Sequence, residues 1–174
     1  MKKLLCLIVL ILAAAGKIYA ADISALATSN IPLDKGDDAV VLYSSYDVTI
    51  SPDGNRHASV EELVRIVTQT GRDGYADKNV FVDKNFGDIK LNKGGTYLPD
   101  GSFVPLEKAG INETTSPALS ESQMYGSFVN NVFSFASADP GSNVYIKYDS
   151  TKNNTEEKYD SDIIILQSGK KNIE

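Results

Sequence analysis

Two stretches, TISPDGNR at residues 49–56 and TYLPDGSF at residues 96–103, place the same Pro-Asp-Gly between runs of β-branched and aromatic residues. A chain that turns twice in this way is committed to hairpins. Proline fixes φ near the value wanted at the second turn position, aspartate bonds nearby backbone amides, and glycine takes positive φ without a steric penalty. Geometry accounts for Pro52, Asp53, Gly54, Pro99, Asp100 and Gly101, which are read as structural turns and not as paired working carboxylates. Pro140 and Gly141 read as a third turn, ahead of a tyrosine-rich run.

The runs between the turns have strand character. In AVVLYSSYDVTIS (residues 39–51), Tyr46, Val48 and Ile50 alternate with Asp47, Thr49 and Ser51, the period of a half-buried strand. Short apolar stretches recur at 79–82, 88–91, 96–98, 102–106, 130–137, 143–150 and 162–168, with turn residues between them. This spacing predicts a mainly β chain, an antiparallel β-sandwich-like domain over residues 39–174. Residues 21–38 form a lead-in with a short helix from Ile23, ended by Pro32 and Gly36. ASVEELVRIVTQTG (residues 58–71) fits two patterns. Val60, Leu63, Val64 and Val67 have helical spacing with a Ser59–Glu62 capping box, whereas its β-branched residues and the preceding turn favour a strand. The polar residues 107–126 lack periodicity and are expected to be a long connection or a mobile loop.

The first twenty residues, MKKLLCLIVLILAAAGKIYA, carry Lys2 and Lys3, an apolar run from Leu4 to Ala15 and a small residue at Ala20, the three parts of a removable signal peptide. The apolar run is shorter than the roughly 20 residues of a bilayer span, so export without a remaining membrane span is expected, to the periplasm or the exterior. Cys6, the single cysteine, falls within this segment, and the mature chain must be held by its core without disulfides. Removing the leader's three lysines leaves 14 basic against 23 acidic residues, a net charge of −9. Such a surface disfavours nucleic acid and anionic lipid, which are held by lysine and arginine.

Reactive sets are absent from the pattern. His57 is the single histidine, and a surface or cross-strand role is expected for it. One histidine and no mature cysteine exclude the usual zinc ligand sets. DKNFGD (83–88) and TEEKYDSD (155–162) supply oxygens for calcium but do not match its twelve-residue loop, so no cofactor or metal is expected. GRDGY at Gly71 and KGGTY at Gly94 lack phosphate-loop spacing and read as turns. Tyr43, Tyr46, Tyr97, Tyr125, Tyr145, Tyr148 and Tyr159 offer a stacking platform for a sugar, an alternative to packing. A hydrolase built on Glu61, Glu62, Asp83 or Asp88 ranks lowest.

The order of these elements carries a resemblance. AVVLYSSYDVTISPDGNRHASVEELVRIVTQTGRDGYAD, then DIKLNKGGTYLPDGSFVPL, then NNVFSFASADPGSNVYIKYDS, together covering about residues 39–159, resemble the domain of unknown function that precedes transglutaminase-like domains in exported bacterial proteins. The resemblance implies a β-sandwich-like fold and a strand over residues 58–70. It implies no chemistry here, because the family's Cys-His-Asp centre belongs to the following transglutaminase-like domain. The expectation is therefore a non-catalytic exported β-module. Its partner would be a protein or envelope component, a transglutaminase-like domain encoded nearby among them, with strand addition at a sheet edge as one route.

Overall fold

In the computed structural model, residues 21–115, 127–153 and 170–171 are described. The predicted signal peptide, the polar stretch 116–126, and the expected strand at 162–168 lie outside them, as do Tyr125 and Tyr159. The chain is mainly β and every strand pair is antiparallel. Helix α1 (Ile23–Thr28) precedes β1 (Ala39–Ile50) and β2 (Arg56–Ile66), and helix α2 (Gln69–Tyr75) precedes β3 (Asp77–Asp83) and β4 (Gly87–Tyr97). Then come β5 (Phe103–Pro105), a 3-10 turn (Lys108–Gly110), β6 (Ile111–Thr114), β7 (Phe128–Ser134), β8 (Asn143–Lys152) and β9 (Lys170–Lys171). One sheet runs β5-β4-β8-β2-β1-β9 and the other β3-β7-β6.

The main core lies between the sheets. Val144, Ile146 and Tyr148 of β8 and Ile66 of β2 meet Phe133 of β7 and the neighbouring Phe135, with Val80 of β3 and Leu91 of β4 packed around them. Each large apolar side chain withdrawn here contributes roughly 1.5–3 kcal/mol of transfer free energy. A second cluster occupies the opposite face of the large sheet. There Ala27 of α1 meets Leu63, Tyr97 and Tyr145, flanked by Ile23 and Leu26. Strand β8 is therefore covered on both faces over Asn143–Ile146, which is why VYI at residues 144–146 reads as a continuous apolar run instead of an alternating one. Past the reach of α1 the alternation returns, with Lys147 outward and Tyr148 buried.

Helix α1 is tied down by polar bonds as well as by its apolar side. Asp22 caps its start by accepting from the Ala25 amide, and at its end Arg65 donates to the carbonyls of Ser29 and Ala27, each at 2.9 Å. The same guanidinium holds Asn143 at 2.9 Å, and Asn143 donates in turn to Ala27 at 3.0 Å.

Three sequence expectations need correction. The strand expected over residues 58–70 ends at Ile66, and the remainder enters α2, capped by the Thr68 hydroxyl accepting from the Gly71 amide. The glycine pairs are not turns: Gly71 and Gly74 lie within α2, and Gly94 and Gly95 within β4. Both pairs mark close approaches. A Cβ on Gly71 would sit 1.9 Å from the Asp38 carbonyl oxygen, and one on Gly95 would strike Phe103 and the Val104 carbonyl. Finally, the connection expected from residue 107 begins with the 3-10 turn and then forms β6, which pairs with β7. Its exposed INET pattern gave no apolar period to read.

Candidate functional site

A cleft of about 250 Å³ opens between the sheets beside α2. Its floor is apolar: Val64 from β2, Val144 and Ile146 from β8, and Phe135 after β7. Tyr75 and Gly74 of α2 and Asp77, Lys78 and Asn79 of β3 form the rim, opposite Glu62. The local sequence explains the opening. Gly71 lets α2 press against the backbone ahead of β1, Thr68 Oγ1 bonds Asp38, and the Phe135 amide bonds the Ala76 carbonyl at 2.8 Å. These contacts fix the helix at the end of β2 and ahead of β3.

One ion pair spans the gap. Lys78 Nζ lies 2.6 Å from Glu62 Oε2, so each charge already has its partner. Burial raises the Tyr75 hydroxyl above its ordinary pKa of 10.0, and the Glu62 carboxylate adds to the effect. Tyr75 is therefore a neutral hydroxyl at physiological pH, able to donate a hydrogen bond at the rim. The cleft is smaller than the roughly 300–1,000 Å³ typical of small-molecule sites. Its scale suits one apolar side chain of a larger partner. Sequence reasoning missed this site: Glu62 was legible as a capping residue or a hydrolase carboxylate, not as the partner of Lys78, which reaches it from a different sheet across sixteen residues of chain.

The opposite face of the large sheet is polar beyond α1. Glu61 accepts from the Tyr145 hydroxyl at 2.7 Å and from Lys147 at 2.9 Å, while Lys93 lies over the Phe103 and Tyr145 rings. Burial alone would raise the Glu61 pKa, but the bonds from Lys147 and Tyr145 bring it below its ordinary 4.5. Burial first and Glu61 second push the Tyr145 hydroxyl well above its normal range.

His57 projects from β2 on this face, about half exposed, with Nε2 4.0 Å from Asp149 Oδ1. The Asp149 carboxyl is held below its usual range chiefly by the Asn92 hydrogen bond, with Ser59 and His57 adding to it. The acid thus lies between hydroxyl and imidazole. In a working triad the imidazole must stand between the other two so that it can take the hydroxyl proton, and this order prevents that.

The expected turn residues sit as follows. At Pro52–Asp53–Gly54, the Gly54 amide bonds the Ser51 carbonyl, Gly54 has φ +83°, and Asp53 accepts from Ser51 and Asn55 side chains. At Pro99–Asp100–Gly101, the Gly101 amide bonds Leu98, φ is +85°, and Asp100 accepts from the Ser102 amide and hydroxyl. Strand register puts these turns at opposite ends of the large sheet, since Ile50–Arg56 lies beside Lys152 and Tyr97 beside Asn143. Asp53 and Asp100 therefore form no pair. Pro140 and Gly141 form a turn against the second of these, with Gly141 at φ +92°.

The other candidates are dispersed too. Glu61 and Glu62 are strand neighbours on opposite faces, Asp83 bonds the Asn85 amide, and Asp88 is held by Lys84 at 2.7 Å. Of the proposed tyrosine platform, Tyr97, Tyr145 and Tyr148 are buried, Tyr43 is half-buried, and Tyr46 bonds Arg56 at the surface. Among the described residues no three His, Cys, Asp or Glu side chains gather as metal ligands, and no helix is long and apolar enough to cross a membrane.

Comparison with known proteins adds a family and a fold. A family model described as "Domain of Unknown Function with solved-structure structure (DUF3857)" matches residues 52–168. No curated protein matches. A crystal structure described as that of a "putative protease" from Parabacteroides distasonis ATCC 8503 superposes with a TM-score of 0.64 at 17% sequence identity. The match takes in 68% of this chain and 24% of the Parabacteroides chain, so the likeness is one of fold and spans about a quarter of the longer protein.

Proposed function

The chain belongs to the DUF3857 family, and from that premise we propose that it is a non-catalytic, exported bacterial β-module that docks onto a protein or cell-envelope partner. The observation that carries this reading is the interlayer cleft, an apolar floor under an ion pair that is already satisfied. Glu62 and Lys78 are bonded to each other across its mouth. Such a site offers burial and shape to a partner. A transglutaminase-like domain encoded nearby is the first partner to test, in line with the order of domains in the resembling proteins.

The protease description of the fold neighbour transfers no activity, because three-quarters of that protein has no counterpart in the match. The sugar-binding alternative is weakened by the burial of three of its tyrosines. The experiment is site-specific photo-crosslinking in intact cells, with the reactive group at exposed Asn79 on the cleft rim and, as reference, at exposed Asp47 on the opposite face. The reading expects a discrete adduct from Asn79 and none from Asp47. Equal labelling from both positions, or release of cleaved product from envelope material by the purified protein, would count against it.

A further inference from the structure

Strand β3 forms one margin of the small sheet, whose order is β3-β7-β6. Two bonds at its ends fix which backbone groups face that margin. The Phe135 amide bonds the Ala76 carbonyl at 2.8 Å and the Lys84 amide bonds the Ser127 carbonyl at 3.0 Å, and both pairs continue the β3–β7 register. Along an antiparallel strand, residues alternate between bonding one neighbour and bonding the other. Lys78, Val80 and Val82 therefore exchange bonds with β7, and Asp77, Asn79, Phe81 and Asp83 turn their N–H and C=O groups outward. The Asp83 carbonyl accepts from the Phe86 amide in the following turn. Among the described residues, no backbone bond reaches the outward groups of Asp77, Asn79 and Phe81.

The space beside this margin has an apolar floor. Strand β3 starts over β2, where Lys78 reaches Glu62, and Lys84, the residue after it, bonds Asp88 of β4, so the strand turns away from β1 along its length. Tyr46, Val48 and Ile50 of β1 are 36%, 41% and 56% exposed, although they share the inner side of the large sheet with Ala58 and Val60. A strand laid against β3 would cover them.

Charge selects the occupant. Asp77 and Asp83 close the two ends of β3. A second copy pairing antiparallel over the whole strand, about a two-fold at Val80, sets Asp77 opposite Asp83 at both ends, and like charges directly opposite are destabilising. A strand with lysine or arginine at those two places gains there instead. Directly opposite residues share a face, so the residues of such a strand opposite Val80 and Val82 turn inward over the β1 floor. We propose that the β3 margin is a strand-addition site for an extended segment of a partner protein, with basic residues opposite Asp77 and Asp83 and apolar residues on its inward side between them. This rests on the docking reading of the neighbouring cleft, whose rim includes Asp77, Lys78 and Asn79, and adds to it the chemistry of the partner.

The test titrates isotopically labelled protein, residues 21–174, with three blocked peptides: Lys-Val-Thr-Val-Thr-Val-Lys, its counterpart with glutamate at both ends, and the lysine peptide with proline in place of the first threonine. The lysine peptide should slow exchange of the Asn79 and Phe81 amides at least about tenfold and leave Val80, which already bonds β7, unchanged. It should bind at least about fivefold more tightly than the glutamate peptide, and proline, which removes a donor to the margin, should abolish the effect. Asp77→Lys combined with Asp83→Lys should invert the preference between the charged peptides, with the Val80 amide reporting that the fold is kept. Asn79 and Phe81 amides as protected as Val80 in the protein alone would show the margin already taken, and protection rising with protein concentration would report a second copy; either overturns the proposal. So does unchanged exchange at millimolar lysine peptide, equal affinity for the glutamate peptide, or an undiminished effect of the proline peptide. A crosslink from Asn79 in cells alongside any of these failures would leave the cleft reading standing without the strand.

Discussion

At the scale of single residues, space and backbone conformation act on different glycines. Gly71 needs no unusual φ but has a carbonyl oxygen where its Cβ would be, whereas Gly141 has only ordinary contact with Pro99 yet sits at φ +92°. Gly71→Ala should cost about 1–3 kcal/mol through forced displacement, and Gly141→Ala about 1–2 kcal/mol through the left-handed backbone alone. Urea midpoints of both variants check this, and the α2 amides should exchange faster only in the first. Glu61 makes a second residue-scale prediction. Its folded pKa is below its ordinary 4.5, so its contribution is complete above that value and disappears as pH falls through the lower folded value. Glu61→Gln should therefore lose roughly 1–2 kcal/mol at neutral pH. Measured by urea denaturation from pH 7 downward, the gap to the native protein should narrow below pH 4.5.

At the scale of elements, α1 depends on a clamp more than on its own six residues, which are too few to hold a helix in isolation. Arg65→Met keeps the length and apolar stem of the side chain but removes the bonds to Ala27, Ser29 and Asn143. Hydrogen exchange should show the amides of residues 25–29 losing protection while β2 and β8 keep theirs. Equal loss in all three would show that the helix and sheet unfold as one unit. The elements also mark how far the sequence could be read. The strand at β1 and the two Pro-Asp-Gly turns were legible because strand character and turn chemistry are local, but the half-buried alternation expected of Tyr46, Val48 and Ile50 is not found: residues 46–50 are all exposed. The start of α2 was not legible, because β-branched Val67, Thr68 and Thr70 continue the character of β2, and the glycines that permit close packing resemble turn glycines. Likewise β6 is exposed along its length and carries no burial signal.

At the scale of the whole molecule, the two-sheet fold followed from counting short strands and turns, but the cleft did not. Its walls come from β2, α2, β3, β8 and Phe135 just after β7, and the Glu62–Lys78 pair that crosses it depends on how one sheet lies over the other. No spacing along the chain encodes that relation. The same arrangement places Asp53, Asp88, Asp100 and His57 on turns and strand ends, and among the described residues no three acidic or histidine side chains gather into one cluster. The role proposed above is docking without turnover. Its most direct test is to titrate the isotopically labelled protein, residues 21–174, with solubilised envelope fractions, or with the proposed transglutaminase-like partner, and follow backbone amide shifts. The account predicts saturable changes centred on Glu62, Gly74, Tyr75, Lys78 and Asn79 with the added material chemically unaltered. Changes centred on His57, Ser59 and Asp149, accompanied by cleavage or modification of that material, would contradict it.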